Sequence, residues 1–341
     1  MTTSTAVADL RAVRRRRRLV VVTGMSLVVL VAGTGALLVG AAGLTPGQVI
    51  AGALGLGDQG DVFIIQKLRL PRIEAAVVVG AAFGLAGALF QSTLRNPLAS
   101  PDILGISSGA SLGAVIGLLA LGLSGIALSG LAFAGAGTIA LAIWLLAWRK
   151  GLHSIRFVLV GVGFAYLCSS LLAWAMARSQ EHEAAAVLTW TVGSVSDIRG
   201  EQLALVTTGT LVLCVAVGVL ARTQGPLALG DDNARALGVH VDGARVGALL
   251  LAVALVALAT SAAGPIAFVA LVAPAIARRL VNDGGAALAA STATGAALTL
   301  VADVVGQHGL LGVAAPVGIV TGLVGAPYLL WLLATTEKRS R

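Results

Sequence analysis

A long apolar run from Ile73 to Leu94 constrains this chain more than any other feature of its sequence. At 1.5 Å per residue, a helix of about 22 residues is long enough to cross a hydrocarbon core ~30 Å thick. Gly80, Gly84 and Gly87 recur in the run at close to helical spacing, so one face of the helix carries almost no side chain. Small residues let helix backbones approach closely in lipid, which predicts a tightly packed membrane helix.

Further apolar runs follow along the chain, and the composition agrees with them. Only 11% of the residues are charged and 57% are hydrophobic, whereas a soluble domain has about 25% charged residues. We therefore predict an all-α polytopic membrane protein with about ten transmembrane helices. The expected spans are residues 19–43, 72–93, 103–121, 125–148, 155–177, 202–221, 245–263, a short piece at 265–280, 284–305 and 312–334.

The basic residues indicate how the chain is oriented. Arg14 to Arg18 precede the first apolar run, and Lys338, Arg339 and Arg341 end the chain. With ten crossings, most of the 23 lysines and arginines lie on one side, which the positive-inside rule places in the cytoplasm. The net charge of +8 then reflects topology rather than nucleic-acid binding. Residues 1–18 and 336–341 are expected to be cytoplasmic tails on either side of a permease domain at 19–335, and the location is a bacterial cell membrane.

A polar break separates the apolar run at 73–94 from the next one. The break, Arg95 to Asp102, contains Pro97 and Pro101, so regular helix is excluded there. Irregular backbone at membrane depth is tolerated only where it is buried in protein or lines a wet cavity. The break is therefore a candidate functional region.

Several segments around this break together resemble the FecCD family, the permease subunits of bacterial ABC importers for ferric siderophores, haem and cobalamin. The matching segments are Arg69-Leu-Pro-Arg72, Gln91, Arg95-Asn-Pro-Leu-Ala99, Ser100-Pro-Asp102 and Leu104-Gly-Ile-Ser-Ser-Gly-Ala110. The resemblance implies the type II ABC importer permease fold. Residues 145–151, 157–163 and 268–279 look most similar to ferric enterobactin (catecholate) permeases, which pair two different permease subunits.

The resemblance also implies roles for residues at both ends of the spans. Arg69 and Arg72 correspond to arginines that dock the substrate-binding protein, although headgroup anchoring is the alternative. The translocation path and its gate would involve Gln91, Asn96, Pro97, Ser107, Ser108 and Gly109. The Ser107–Gly109 stretch is also compatible with plain helix packing.

A polar segment at 222–244 resembles the family's coupling region, which inserts into the ATPase subunit. The matching residues are Asp231, Asp232, Ala234, Arg235, Leu237 and Gly238. From the residues themselves, Asp231 or Asp232 is expected to cap a short helix. Ala234 and Leu237 would share one side of it, and Gly238 would end it. An ordinary connecting loop is the alternative.

Three positions depart from the family pattern. Ala275 stands where the family usually has His, and Ala314 where it has an acid. The family often has a third docking arginine after the Ala-Asp pair of this span, whereas here Ala302-Asp303 is followed by Gln307 and His308. The departures at Ala275 and Ala314 favour an asymmetric pair of permeases, and Gln307 and His308 put the third docking contact in doubt.

Asp303 and Glu74 are the two acids expected to be buried within spans, and buried intramembrane acids are candidates for function. A structural role for Asp303 as a buried, hydrogen-bonded acid is the first interpretation and gating the second. The four histidines, including His153 and His182, do not cluster, so no metal site is predicted. The two cysteines, Cys168 and Cys214, are expected to be small packing residues.

The sequence contains no Gly-x-x-x-x-Gly-Lys-Ser/Thr motif for binding ATP. We therefore expect a non-catalytic subunit without its own cofactor, with ATP and Mg held by two separate ABC ATPase subunits. The other expected partners are a second FecCD-type permease, a substrate-binding protein and a ferric siderophore. A heterodimer is favoured over a homodimer. Haem or cobalamin import is the alternative within the family, and an ion-coupled secondary transporter is the alternative of another class.

Overall fold

A computed structural model describes residues 3–39, 43–102, 104–148, 154–179, 181–309 and 313–337. Met1, Thr2 and His153 lie outside the described residues, as does the predicted basic cluster of Lys338, Arg339 and Arg341. The helices are α1 Thr3–Leu38, α2 Pro46–Ala53, α3 Gln59–Phe63, a π-helical turn Ile64–Arg69, α4 Leu70–Thr93, α5 Ile106–Leu121, α6 Gly125–Ala147, α7 Ser154–Met176, α8 Glu181–Val192, α9 Gly200–Ala228, α10 Asp231–Ala236, α11 Val241–Ala263, α12 Val269–Val281, α13 Leu288–His308 and α14 Val317–Glu337.

The predicted all-α membrane architecture is confirmed within the described ranges. Seven helical stretches there are long and apolar enough to cross a membrane, and two shorter apolar helices occupy further predicted spans. The piece predicted at 265–280 is the 13-residue helix α12. The exact number of crossings stays a prediction.

Two segments between predicted spans contain helices. Thr45 caps α2 through a capping box with Gln48, and a single helical stretch then runs from Gln59 to Thr93. The polar segment between α7 and α9 contains α8. The N-terminal basic residues, expected to form a separate tail, are part of α1. Polar and basic residues do not prevent a helix from continuing, because straight-chain side chains have good helix propensity.

Helix α4 is the centre of the core, and its glycine face explains how closely its neighbours pack. A β-carbon placed on Gly84 would lie 2.3 Å from the carbonyl oxygen of Ser291 in α13. One on Gly87 would lie 1.8 Å from the carbonyl oxygen of Ala270 in α12. Only glycine permits backbones to approach this closely, so the predicted tight packing of this face is confirmed.

The residues just after α8 contact the ends of two other helices. The Ser194 N–H donates to the Ala263 carbonyl at the end of α11 (2.7 Å), and the Gly318 N–H donates to the Gly193 carbonyl (3.2 Å). Gly264, which follows α11, has a φ of +70°. These hydrogen bonds satisfy backbone groups at helix ends and join α8 to both α11 and α14.

Candidate functional site

The two predicted docking arginines lie next to each other but have different partners. Arg69 donates to the carbonyl oxygen of Leu37 in α1. Arg72 donates through Nε and Nη2 to both oxygens of Asp303, at 2.8 to 3.2 Å. Gln307, one turn after Asp303, donates to the same carboxylate at 2.7 Å. A docking role for the arginines stays a prediction, and one edge of Arg72 is already engaged within the chain.

A small cavity lies beside these arginines. It measures about 240 Å³, and its lining includes Arg69, Arg72, Arg199, Ser196 and Gln307. Arg199 is exposed and donates to the Ser196 carbonyl at 3.2 Å. Its position brings a further cation to this end of the molecule.

The two acids expected within spans lie in different surroundings. Asp303 is 2% exposed and is hydrogen-bonded to Arg72 and Gln307. Its role as a structural acid stays a prediction that this geometry favours. Glu74 is exposed on the surface of the chain and accepts a hydrogen bond from Thr207 in α9 at 2.9 Å, so the expectation that it is buried is wrong. It lies on a face of α4 that contacts α9, and sequence position alone did not indicate which face it occupies.

The polar break between α4 and α5 is an ordered turn. Arg95 has a φ of +50°, and Asn96 Oδ1 accepts from the Leu98 N–H at 2.9 Å. Further along, Ser107 donates to Asp102 at 2.7 Å. Burial raises the pKa of the Asp102 carboxyl, and the hydrogen bonds from Ser107 and Ser100 act in the opposite direction. Side-chain oxygens thus replace the backbone bonds that the prolines exclude.

The predicted path residues are spread over several environments. Gln91 is 4% exposed, donates to the Leu271 carbonyl at 3.1 Å, and accepts from Arg278 at the end of α12. Asn96 and Pro97 are exposed, and Ser108 is half-buried. Their role in a path stays a prediction.

Gly109, also predicted to be in the path, lies against α6. A β-carbon there would lie 2.9 Å from the Gly135 carbonyl oxygen and 2.4 Å from a side-chain carbon of Ile139. This position favours the alternative weighed from the sequence, which is helix packing.

The predicted coupling segment is a short, well-packed projection between α9 and α11. Ala234 is buried in a small apolar cluster with Leu227, Val241 and Ala244. Leu237 is 62% exposed, so the expectation that it shares one side with Ala234 is wrong. Gly238 has a φ of +81° just after the helix, as expected for a glycine that ends a helix.

The expected capping of α10 by an aspartate is also wrong. The residue at the N-cap is Gly230, and neither aspartate makes a capping hydrogen bond there. Asp232 pairs with Arg235 at 3.2 Å within the same helix. Asp231 instead accepts from Arg95 at 2.6 Å and from Arg245 at 2.8 Å, because those guanidinium groups offer stronger, charge-assisted bonds than a backbone N–H.

Arg245 and Arg278 are the partners that sequence reasoning missed. Both lie in or beside segments that were singled out as polar or basic. Neither spacing nor composition shows which acid or amide they contact, since those contacts cross between helices. Among the described residues, no group of three His, Cys, Asp or Glu side chains is placed to hold a metal ion.

The chain is similar to known membrane transport proteins over nearly its whole length. The model of the FecCD transport family matches residues 27–335. The ferric enterobactin transport system permease protein FepG of Escherichia coli (strain K12) is 36% identical, covering 91% of this chain and 94% of that protein. The achromobactin transport system permease protein CbrC of Dickeya dadantii (strain 3937) is 39% identical, covering 90% and 88%. The vitamin B12 import system permease protein BtuC of Salmonella arizonae is 34% identical, covering 95% and 97%.

The fold is shared with a solved structure. An inward-facing metal-chelate type ABC transporter superposes with a TM-score of 0.82 at 26% identity, covering 92% of this chain and 98% of that one. The predicted type II ABC importer permease fold is thereby confirmed.

Proposed function

We propose a function from one premise: this chain belongs to the FecCD transport family. It is a multi-pass membrane protein and an ABC importer permease. The finer proposal is that it moves a ferric siderophore, received from a substrate-binding protein, across a bacterial cell membrane into the cytoplasm. Both termini would lie in the cytoplasm.

The observation that carries the proposal is the packed projection at 229–243. Its α10 is a helix of six residues held between two membrane helices by an apolar cluster and by the ion pairs of Asp231. A compact, polar projection of this kind suits the transfer of movement from a second protein. ATP would be hydrolysed by two separate ATPase subunits, and this subunit would be non-catalytic.

The most specific part of the proposal is that the cargo is a catecholate siderophore. It is supported by the 36% identical relative that transports ferric enterobactin and by the similarity of residues 145–151, 157–163 and 268–279 to such permeases. A heterodimer with a second permease is supported by the departures at Ala275 and Ala314. Vitamin B12 import is the alternative within the family, because a relative with that name is 34% identical.

An ion-coupled transporter is disfavoured by the surroundings of the two acids. Asp303 is paired with Arg72, so its charge is already compensated. Glu74 lies on the surface of the chain, and its carboxylate accepts from Thr207 rather than from a second ionisable group. Coupled proton or ion movement in membranes generally uses acids that face the bundle interior or a cavity.

The test is to purify the chain with its genomic neighbours and to measure uptake into proteoliposomes. We expect ATPase subunits to co-purify and uptake to require ATP. Ferric enterobactin, ferric citrate, a ferric hydroxamate and vitamin B12 would be compared as cargo, with ferric enterobactin expected to be taken up best. Uptake that persists without ATP but depends on an ion gradient would overturn the importer proposal, and preference for vitamin B12 would overturn only the cargo.

A further inference from the structure

Asp231 lies where three parts of the chain meet. Its Oδ1 accepts from Nη2 of Arg95 at 2.6 Å and from Nη2 of Arg245 at 2.8 Å. Arg95 begins the polar break after α4, Asp231 begins α10, and Arg245 belongs to α11. One anionic oxygen therefore holds two cations, one from the polar break and one from α11, and each contact is a charge-assisted hydrogen bond.

The polar break is attached to α9 and α10 by more than one hydrogen bond. The same Nη2 of Arg95 also donates to the Leu227 carbonyl near the end of α9, at 3.0 Å. One turn earlier, Ser92 donates to Gln224 of α9 at 3.3 Å. Arg95 itself is held at a φ of +50°, a conformation that few residues other than glycine adopt. The backbone of the break is thus fixed where its side chain contacts α10.

Helix α10, which carries Asp231, is also held in place by contacts of its own. Asn233 donates to the Leu229 carbonyl at 2.8 Å, and Ala234 is buried against Leu227 and Val241. Because α10 is packed in this way, a displacement of α10 carries the Asp231 carboxylate with it. The adjacent acid behaves differently: the Asp232 side chain is 100% exposed and pairs within its own helix.

We propose that Asp231 is a positioning residue that transmits movement of the segment at 229–243 to the polar break at 95–102 through its ion pair with Arg95. The inference rests on the proposed function, since it assumes that an ATPase moves this segment. Without the carboxylate, Arg95 and Arg245 would face each other as like charges, which repel. Movement of α10 would then no longer draw the break with it.

The test compares Asp231→Asn with the wild type in proteoliposomes that contain the full complex and its binding protein. The quantity measured is cargo taken up per ATP hydrolysed, using whichever of the four cargoes the wild type transports best. We expect Asp231→Asn to co-purify with the ATPase and to hydrolyse ATP, with uptake per ATP reduced about tenfold, as for one charged hydrogen bond. Asp231→Glu, which keeps the carboxylate, should take up more cargo per ATP hydrolysed than Asp231→Asn does.

Asp283→Asn is the matched control. Asp283 is also a largely buried carboxylate paired with an arginine, Arg18, but it lies between α12 and α13, away from α10. Its loss should leave uptake per ATP unchanged. An unchanged ratio in Asp231→Asn would overturn the transmission role while leaving the importer proposal intact. Failure of the wild type to bind an ATPase or to use ATP would instead overturn the proposed function.

A second measurement covers the case in which Asp231→Asn does not assemble. Arg95→Cys and Asp231→Cys would be combined in a chain with Cys168→Ala and Cys214→Ala, and joined by a short thiol-reactive crosslinker. If the contact transmits movement, the crosslinked complex should transport better than its uncrosslinked form. Loss of uptake on crosslinking would mean that the two segments must separate during the cycle, which contradicts the proposal.

Discussion

The guanidinium group of Arg72 in α4 grips both carboxylate oxygens of Asp303 in α13, with nitrogen–oxygen distances of 2.8 to 3.2 Å. The contact lies on the same pair of helices as the close approach of Gly84 to Ser291. Two different devices therefore hold α4 against α13: backbone contact through glycine, and a two-point ion pair. The ion pair also compensates a charge that would otherwise be buried alone, which is strongly unfavourable.

Asp303→Asn is expected to destabilise the protein. The substitution leaves the Arg72 guanidinium without its anion, and loss of a hydrogen bond to a charged group costs about 2 kcal/mol. Thermal unfolding in detergent would measure the loss. Glu74→Gln is the control, since Glu74 is an exposed acid two residues after Arg72 and accepts its hydrogen bond from the Thr207 hydroxyl of α9. Equal unfolding temperatures for the two variants would contradict the structural role of Asp303.

Gly87→Ala is expected to push α4 away from α12. The added β-carbon would lie 1.8 Å from the Ala270 carbonyl oxygen, and overpacking of this kind costs about 1–3 kcal/mol. Gly137→Ala in α6 is the control, because nothing lies within 4 Å of its β-carbon position. Alanine should be neutral or slightly stabilising there. The measurement is the fraction of each variant that remains folded after heating. A Gly87→Ala variant as stable as Gly137→Ala would refute the packing argument.

Arg69→Glu tests the predicted docking of a binding protein. Reversal of this charge should slow association with the binding protein by on the order of tenfold at low ionic strength. The difference should shrink as salt is added. Lys67→Glu changes the net charge equally from an exposed position two residues away, so it isolates the specific contact. Association rates measured by surface plasmon resonance that match for the two variants would count against Arg69 as a docking residue.

The pair of Arg18 and Asp283 predicts a pH dependence of stability. Burial raises the pKa of the Asp283 carboxyl, but the hydrogen bonds from the Gly285 N–H and Arg18 outweigh it, and the pKa is lowered from its ordinary value of 3.8. A carboxyl with a lowered pKa contributes stability that is complete above its unfolded pKa and is lost as the pH falls through the folded pKa. The difference in unfolding temperature between the wild type and Asp283→Asn should therefore be constant near neutral pH, begin to shrink near pH 4, and disappear only once the pH has fallen below the lowered folded pKa. A difference that persists in acid would show that the charge is not its cause.

The parts of this fold that could be predicted are those that have a local pattern in the sequence. Apolar runs specify which segments enter lipid, because an unsatisfied charge or backbone group there is expensive. The glycine spacing at Gly80, Gly84 and Gly87 indicates a face for close packing before any partner helix is known. The break at 95–102 follows from its prolines. Helix α8 and the extension of α4 back to Gln59 were missed, because short polar helices lack the apolar run on which the prediction of spans depends.

The candidate sites, like the fold, could be predicted from the sequence only in part. The positions of Arg72, Asp231 and Asp303 follow from motifs in the sequence, but their partners do not. Arg95 and Asp231 are separated by 136 residues, and Arg72 and Asp303 by 231. Helical periodicity extends over a few turns, so it cannot specify contacts at such separations. The sequence by itself determined a membrane-embedded helical permease with small-residue faces, whereas the tertiary structure alone decided which charges meet, because only the packing of one helix against another brings them within hydrogen-bonding distance.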